Sequence, residues 1–566
     1  MGKTALELIR RRPLALLFLL CLVAWLPGFF TIPPLDRDES RFAQASKQML
    51  ETGDFVDIRF GVEPRYKKPV GIYWMQAATT EAVSAATGDT ARDHIWTYRI
   101  PSLIGALAAV ALAYWCASAF LGVEGAFLSA LLLGLTLLLS SEAKIAKTDA
   151  VLLATVVGAQ AVLLRAYLSR DPAQPVPSFK LAMLGWLSFA LGVLDKGPVI
   201  LGVCGATALV LVAWDRDWRW LGRLRPVWGI ALTLVVVAPW LVAIALKSHG
   251  AFYQQSLGHD FGAKLAGGEE SHGLPPGYYL LATTATFWPV TLFLAPALAA
   301  TILSHRQPAA RFLLAWVASW PIFELVPTKL PHYILPLYPA LAMMAAAFVL
   351  APVEADLPAW RRRWLPLGSG LHFLLGAGLL CVAIVYLPRL YGAGTTWDLM
   401  AAAAGVAALS LAAVVSALRG SKTVAVSFAA FASIVTLWAA TLDVLPRLDQ
   451  LMVSPREAKM IASHMRKDDP PPVLAGYTEP SAMFLIGTQT RLTDGTLAAE
   501  IGAAQGGLVA VEDGQRSPFL AHLAEMEADA KPIDAISGFN YSRGRNVHIT
   551  LYRVTPPRQI TSPPQE

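Results

Sequence analysis

The chain has 566 residues, 55% of them hydrophobic and only 15% charged, and its mean hydropathy of +0.50 lies well above that of soluble globular proteins. Such a composition excludes a soluble enzyme and defines an integral membrane protein. The formal net charge of +6 does not point to nucleic acid, because the surplus Lys and Arg sit in short loops between apolar segments, where they act as membrane-orientation signals.

Arg10, Arg11 and Arg12 precede an apolar run that ends near Phe30. Pro33, Pro34 and acidic residues follow in place of a small-residue cleavage site, so the segment reads as a retained signal-anchor helix. Crossing about 30 Å of hydrocarbon takes roughly 20 apolar residues. By that measure spans fall at 13–30, 100–120, 125–139, 149–168, 181–194, 199–214, 227–246, 278–303, 312–326, 334–350, 367–387, 399–418 and 424–442, about thirteen in all. Cys21, Cys116, Cys204 and Cys381 all lie within them at no metal-ligand spacing and read as packing residues.

Alternate loops carry the basic residues: Arg10 to Arg12, Arg165 and Arg170, Arg216 to Arg225, His305 to Arg311, Arg361 to Arg363, and Arg419 with Lys422. The bias puts the N-terminus in the cytoplasm, and an odd number of spans puts the C-terminus outside. The segments DRDE, RYKKP, AKIAKTDA, DKGP, PTKLPHY and the long loop after Lys247 all fall on the other, periplasmic face. After Asp443 the composition becomes that of a soluble domain. DDPPPVLAGYTE, AMFLIG, GLVAVE and NVHITLYRV read as short strands, and 519–530 as an amphipathic helix. The expected fold class is therefore a polytopic α-helical membrane protein with a small C-terminal α/β periplasmic domain. Its expected parts are a membrane domain over 1–445 containing a first periplasmic loop at 32–98 with surface helices, a soluble domain over 446–556, and a disordered tail over 557–566. The soluble domain holds no Gly-rich phosphate loop, CxxC or GxSxG, and no chemistry is assigned to it.

The first periplasmic loop is the most chemically loaded stretch. Asp36, Asp38 and Glu39 precede a segment, 40–50, in which Phe42, Ala45 and Met49 recur at helical spacing, which predicts a short helix on the membrane surface. Asp36 and Glu39 also suit a helix N-terminus, as a cap and as acids at the positive end of the dipole, which leaves Asp38 to face a cavity. Lys67 and Lys68 form either a pair facing anionic lipid or a clamp on a phosphate at the bilayer surface. Thr148 suits an N-cap for the helix that follows, Asp149 either orients a catalytic group or binds a sugar hydroxyl, and Lys144 and Lys147 lie beside them. Lys196 reads as a snorkelling lysine. Lys329, His332 and Tyr333 place a cation, an imidazole and a phenol within five positions. His249, His259 and His272 match no metal motif and read as solvated loop histidines.

In order along the chain, Asp38-Glu39 with Arg41, GDF, YKKP with GIYW, AKTD, DKGP, PPGYY and KLPHYILPLYP resemble the bacterial glycosyltransferases of the GT-C type. The resemblance covers roughly 14–350. It is strongest with the aminoarabinose transferases of lipid A modification, and these are similar also to protein O-mannosyltransferases. It implies a GT-C architecture and transfer of a sugar from a polyprenyl (undecaprenyl) phosphate carrier to an acceptor outside the inner membrane. Asp38 matches the essential acid of the first outer loop, Lys68 the lysine that contacts the carrier phosphate, and Tyr333 the tyrosine near that phosphate. Lys264 is a looser match to a later basic contact. The candidates are thus Asp38, Glu39 and Asp149 as catalytic, Lys68, Lys67, Lys264 and Tyr333 as carrier-phosphate-binding, and Arg41, Lys329 and His332 as substrate-binding residues. The family's Glu just before its Lys is Lys67 here, so no metal is assigned and no cofactor is expected.

The implied chemistry is an inverting displacement in which cations balance the charge on the departing phosphate. A hydroxyl acceptor needs Asp38 as a general base, whereas a lipid phosphate acceptor needs none. The acceptor stays open between a lipid A-type lipid, another glycan and a protein. The expected partners are the carrier-linked sugar, the acceptor and membrane lipids, with no nucleic acid, for a monomer. The rival from another class is a secondary transporter, which tends to show repeated halves and mid-membrane charges, neither of which is seen.

Overall fold

The computed structural model describes residues 3–35, 37–261, 274–351 and 359–557. Asp36, Lys264, His272 and the tail at 558–566 lie outside these residues. Each predicted span coincides with a helical stretch. Among the described residues seven helices are long and apolar enough to cross a membrane: Ile95–Ala117, Asp149–Leu168, Pro226–Lys247, Pro331–Leu350, Arg363–Tyr391, Trp397–Leu418 and Lys422–Arg447. Pro13–Trp25, Gly122–Gly134, Val199–Asp215 and Thr291–Leu303 are shorter apolar helices. The chain is a multi-pass membrane protein with a C-terminal sheet domain.

The elements that build the polar end of the bundle come early in the chain. They are α1 (Lys3–Arg11), α2 (Pro13–Trp25), α3 (Arg37–Thr52), α4 (Gly71–Thr87), α5 (Ile95–Ala117), α6 (Gly122–Gly134), α7 (Leu137–Glu142), α8 (Asp149–Leu168) and α9 (Phe179–Lys196). A small hairpin of β1 (Arg59–Phe60) and β2 (Glu63–Pro64) joins α3 to α4. Three predicted spans are interrupted, the first of them, 125–139, between α6 and α7. The 278–303 run breaks into Tyr278–Thr286 and Thr291–Leu303 just before Pro289, which disfavours helical backbone at the preceding residue and gives no N–H. The 312–326 run divides into Pro308–Val317 and Trp320–Leu325.

Burial separates inner from outer helices. Of the most apolar window in each, 83% is buried in Asp149–Leu168 and in Pro331–Leu350, against 22% in Pro226–Lys247 and 28% in Arg363–Tyr391, so the last two are the ones left to face lipid. Lipid tails are as apolar as leucine, so inner helices associate through close packing at small residues. Gly105 of α5 shows this: a Cβ there meets the backbone N and Cα of Val151 in α8 at 2.9 Å. The same approach lets Ser102 of α5 donate to the Lys147 carbonyl at 3.1 Å, which anchors the loop leading into α8.

The predicted surface helix at 40–50 proves to be α3, which starts earlier and is not a surface element. Glu39, Ser40 and every residue from Phe42 to Met49 are buried. One reason is the C-terminal domain, whose helix Pro480–Ile486 packs on α3 through Gln44 Nε2, which donates to Thr488 Oγ1 at 2.7 Å. That domain is a five-stranded sheet in the order β4-β3-β5-β7-β6, formed by β3 (Val473–Ala475), β4 (Arg491–Thr493), β5 (Gly507–Glu512), β6 (Asp529–Asn540) and β7 (Arg545–Thr555). The first three are mutually parallel, and β7 runs antiparallel to β5 and β6. GLVAVE and NVHITLYRV are strands as predicted. AMFLIG is not, because Pro480 at a first-turn position starts a helix there. The helix predicted at 519–530 lies at Asp513–Glu525, and the missed strand β6 begins at Asp529. Its irregularity at Pro532 to Asp534 reflects a proline that cannot donate to the ladder.

Gly105→Val places two methyls against the α8 backbone and should lower stability by about 1–3 kcal/mol. Thermal unfolding of the purified protein in detergent measures this; an unchanged midpoint shows that the α5–α8 contact is looser than described.

Candidate active site

The site begins with a buried ion pair. Arg99, in the first turns of α5, points Nε at Glu39 Oε1 at 2.7 Å and Nη2 at Oε2 at 3.0 Å, a bidentate pair at 1% and 0% exposure. The remaining donors of Arg99 go to the carbonyls of Phe29, Ile32 and Pro33 at 3.0, 2.8 and 3.1 Å. The Glu39 oxygens also accept from the Leu35 and Ala146 N–H groups, each at 3.0 Å. Glu39 therefore has no free oxygen to offer a substrate. The sequence-based catalytic assignment is corrected: Glu39 fastens α3 to α5 and to the loop before α8.

Asp38 lies one position back, about 100° away around the helix axis, and its side chain is 40% exposed. Arg41 Nη1 is 3.9 Å from its Oδ1. Burial acts to raise the Asp38 carboxyl, but the charges of Arg65, Lys147, His332 and Arg41 around it outweigh that and hold it below the ordinary carboxylate value. Arg65 is itself fixed: its Nε donates to the Tyr73 hydroxyl at 3.3 Å and its guanidinium sits 5.0 Å from the Phe42 ring centre.

Behind Asp38 is a cluster that joins α7, α8, α9 and the PHY segment. Lys147 Nζ lies 3.3 Å from Glu142 Oε1, and Lys196 Nζ lies 2.5 Å from Asp149 Oδ1. His332, 12% exposed, is between the two carboxylates, with Nδ1 4.0 Å from Glu142 and Nε2 3.9 Å from Asp149. Lys196 is thus not a snorkelling lysine: it is buried on Asp149 and lies 5.5 Å from the ring centre of Tyr333. Asp195 beside it is fully buried, neither of its oxygens has a hydrogen-bond partner among the described residues, and it interacts electrostatically with Lys196, Asp149 and Lys68. Gly71, at the start of α4, makes this approach close, since a Cβ there meets the Leu194 carbonyl at 2.7 Å. Asp38, Arg41, Lys68, Asp149, His332 and Tyr333 accordingly share one end of the bundle.

Two further expectations change. Thr148 makes no capping bond, because its own backbone is already helical at φ −72, ψ −25. Lys329 is buried and donates to the carbonyls of Glu324 and Val326 at 2.8 and 2.7 Å. Its assignment to substrate binding is corrected: it closes the C-terminus of the short helix Trp320–Leu325. Sequence reasoning missed Glu142, Arg65 and Arg99 as site-building residues and undervalued Lys147 and Lys196. The discernible signal was that Glu142 and Arg99 are charges at the ends of otherwise apolar helices.

An open cavity of about 710 Å³ lies on the Arg41 and Arg65 side of Asp38. Arg41, Arg65 and Lys67 line it with Phe60, Glu63, Tyr66, Gln254 and Gln255, and Thr478 and Pro480 come from the C-terminal domain. Three cations against one acid suit an anionic guest. A resident divalent metal fits less well. Glu142, Asp149 and His332 each place one ligand atom within 4.8 Å of the others, but the Lys147 and Lys196 ammonium groups each already hold one carboxylate oxygen, which leaves Glu142 Oε2 without a hydrogen-bond partner among the described residues. At the position where the resemblance implies a metal-contacting Glu, the chain has Lys67. Two lysines in the cluster and Lys67 put positive charge where a bound cation would sit, and no step is routed through a metal.

The helical bundle with its C-terminal sheet domain has the GT-C architecture. The sequence profile of the family described as "Dolichyl-phosphate-mannose-protein mannosyltransferase" matches residues 8–251. The chain is similar to undecaprenyl phosphate-alpha-4-amino-4-deoxy-L-arabinose arabinosyl transferases. It is 29% identical over 376 residues to the protein of Pseudomonas paraeruginosa, covering 64% of each chain. It is 26% identical over 371 residues to that of Aeromonas hydrophila, covering 63% of each. The match thus spans a little under two thirds of these relatives. The fold is shared with the crystal structure of ArnT from Cupriavidus metallidurans bound to undecaprenyl phosphate, with TM-score 0.72, 18% identity, and coverage of 97% of this chain and 99% of that one. The apo oligosaccharyltransferase of Archaeoglobus fulgidus matches with TM-score 0.52 at 11% identity, over 98% of this chain and 75% of its own.

Arg99→Met leaves Glu39 charged and buried without its partner, and should cost about 3–5 kcal/mol. Folded yield and thermal midpoint report it, and wild-type values for both contradict the anchoring role. The purified protein should hold substoichiometric divalent metal by elemental analysis and keep its thermal midpoint in chelator; a stoichiometric metal lost together with stability overturns the reading of the lysine-occupied cluster.

Proposed function

We propose that this protein transfers a sugar from an undecaprenyl-type phosphate carrier to an anionic, lipid A-type acceptor at the periplasmic face of the bacterial inner membrane. The observation that carries this reading is the convergence of Asp38, Arg41, Lys68, Asp149, His332 and Tyr333 at one end of the bundle, beside a cavity lined by three cations. The similarity to aminoarabinose transferases and the fold shared with a protein solved with undecaprenyl phosphate support the choice of carrier. In this reading the polar end of the bundle and the C-terminal domain are periplasmic, and the chain works as a monomer.

Phosphate leaves readily once its growing charge is balanced, so the work falls to cations held in place before the reaction. Lys68 and Tyr333 hold the carrier phosphate, Lys67 adds charge at the cavity, and Lys196 lies over the Tyr333 ring. Arg41 and Arg65 receive the acceptor anion from the cavity. Asp38, pinned among cations, is a weak base and stays ionised. That suits an acceptor phosphate, which already carries its nucleophilic charge, better than a hydroxyl whose proton must be removed. Asp38 then stabilises positive charge developing at the sugar carbon and orients Arg41.

A protein hydroxyl acceptor is the second reading, favoured by the match to the mannosyltransferase profile. The clustering of charge at the helix ends also sets this site apart from a transporter, in which ionisable groups gather near mid-membrane.

The test uses purified protein in nanodiscs, an undecaprenyl-phosphate-linked aminosugar and either lipid A or a Ser/Thr peptide. Transfer to lipid A is expected. Asp38→Asn should lower kcat by about 10²-fold or more with carrier binding kept, and Lys68→Ala should raise the donor KM. Full activity of a folded Asp38→Asn protein removes Asp38 from the mechanism, and transfer to the peptide alone replaces the acceptor.

A further inference from the structure

The C-terminal domain reaches the first turn of α3 through one residue. Glu479, immediately before the helix Pro480–Ile486, is only 4% exposed. Its Oε2 lies 3.3 Å from Arg37 Nε, and its Oε1 accepts from Asn540 Nδ2 at 2.9 Å and lies 3.8 Å from Arg543 Nε. Arg37 directly precedes Asp38, and Arg41 is one helical turn on. A buried carboxylate on an arginine is a directional bond, so it fixes the rotation of the helix start as well as its location.

The rest of the contact keeps the domain from sliding. Phe484 is buried in one apolar cluster with Ala43, Ile95, Tyr98 and Ala146, its ring edge-on to Tyr98 at 5.6 Å. The Lys47 ammonium lies 5.5 Å from the same ring. Thr478 and Pro480, on either side of Glu479, wall the cavity that Arg41 and Arg65 also line. The carrier side of the site is built differently: Lys68 precedes α4 and Tyr333 lies in the PHY segment, and neither is on α3.

We propose that Glu479 is a positioning residue of the transfer site, through which the C-terminal domain holds the first turn of α3 so that Asp38 and Arg41 face the cavity. The inference rests on the transfer reaction proposed above and extends it: the soluble domain becomes part of the acceptor half of the site and takes no part in holding the carrier.

The experiment uses full-length protein in nanodiscs carrying Glu479→Gln, which keeps the side-chain shape and removes the negative charge that faces Arg37. Displacing a catalytic turn should lower kcat about ten- to a hundredfold, while affinity for undecaprenyl phosphate stays within roughly twofold of wild type. Amide exchange over residues 37–52 should quicken, with exchange in α8 unchanged. Arg37→Ala should give the same loss, and the double variant should be no worse than either single one. Wild-type kcat and wild-type exchange over 37–52 in a folded Glu479→Gln protein overturn the proposal. So do additive single effects, and so does a parallel fall of carrier affinity and thermal stability, which marks general unfolding. If the wild-type protein transfers no carrier-linked sugar, the reaction reading has failed instead, and the exchange data still decide whether Glu479 holds α3.

Discussion

The bidentate pair between Arg99 and Glu39 is the constraint on which the polar end of this molecule depends. A single guanidinium ties together the segment that follows α2, through three carbonyls, and the start of α3. Glu39 extends the tie to the loop before α8 through the Ala146 N–H. Two charges buried this deeply are tolerable only because nearly every donor and acceptor is satisfied. The pair also divides labour between two neighbouring acids. With Glu39 committed to the frame, the helix turn carries Asp38 around to the side where Arg41 and Arg65 lie, so the position proposed to act in transfer is set by a structural one.

The second layer is an economy of paired charges. Glu142, Asp149 and His332 form a group that in isolation suits a metal ion, yet Lys147 and Lys196 supply positive charge from within the chain. Lys67, standing where the resemblance implies an acid, shifts the balance the same way. These charges lie at helix ends and are paired with one another, which lowers the cost of holding them in a membrane protein. The result is a fixed cationic setting beside an open cavity, which in the proposed reaction would be in place before phosphate arrives, the condition for strong electrostatic stabilisation of a leaving group.

Much of the architecture was legible in the sequence. Runs of apolar residues and the placement of Arg and Lys gave the spans, because bilayer thickness leaves little freedom in helix length. Asp38, Lys68, Asp149 and Tyr333 stood out for a similar reason: charge and phenol at the mouths of apolar helices need an explanation. What stayed hidden was pairing over long separations. Nothing local in DKGP shows that Lys196 meets Asp149, or that Arg99 takes up Glu39, and capping rules suggested a role for Thr148 that its helical backbone does not allow. The strand β6 and the helix Pro480–Ile486 were missed because their amphipathic patterns are weak and their burial comes from the sheet and from α3.

The central claim is that Lys68 and Tyr333 hold the carrier phosphate at the same end of the bundle as Asp38 and the cationic cavity. A cryo-EM reconstruction of the protein in nanodiscs with undecaprenyl phosphate tests it most directly. The account predicts phosphate density between Lys68 and Tyr333, on the same side of the bundle as Asp38. Density at the opposite end of the bundle, or at a position that touches neither residue, contradicts it.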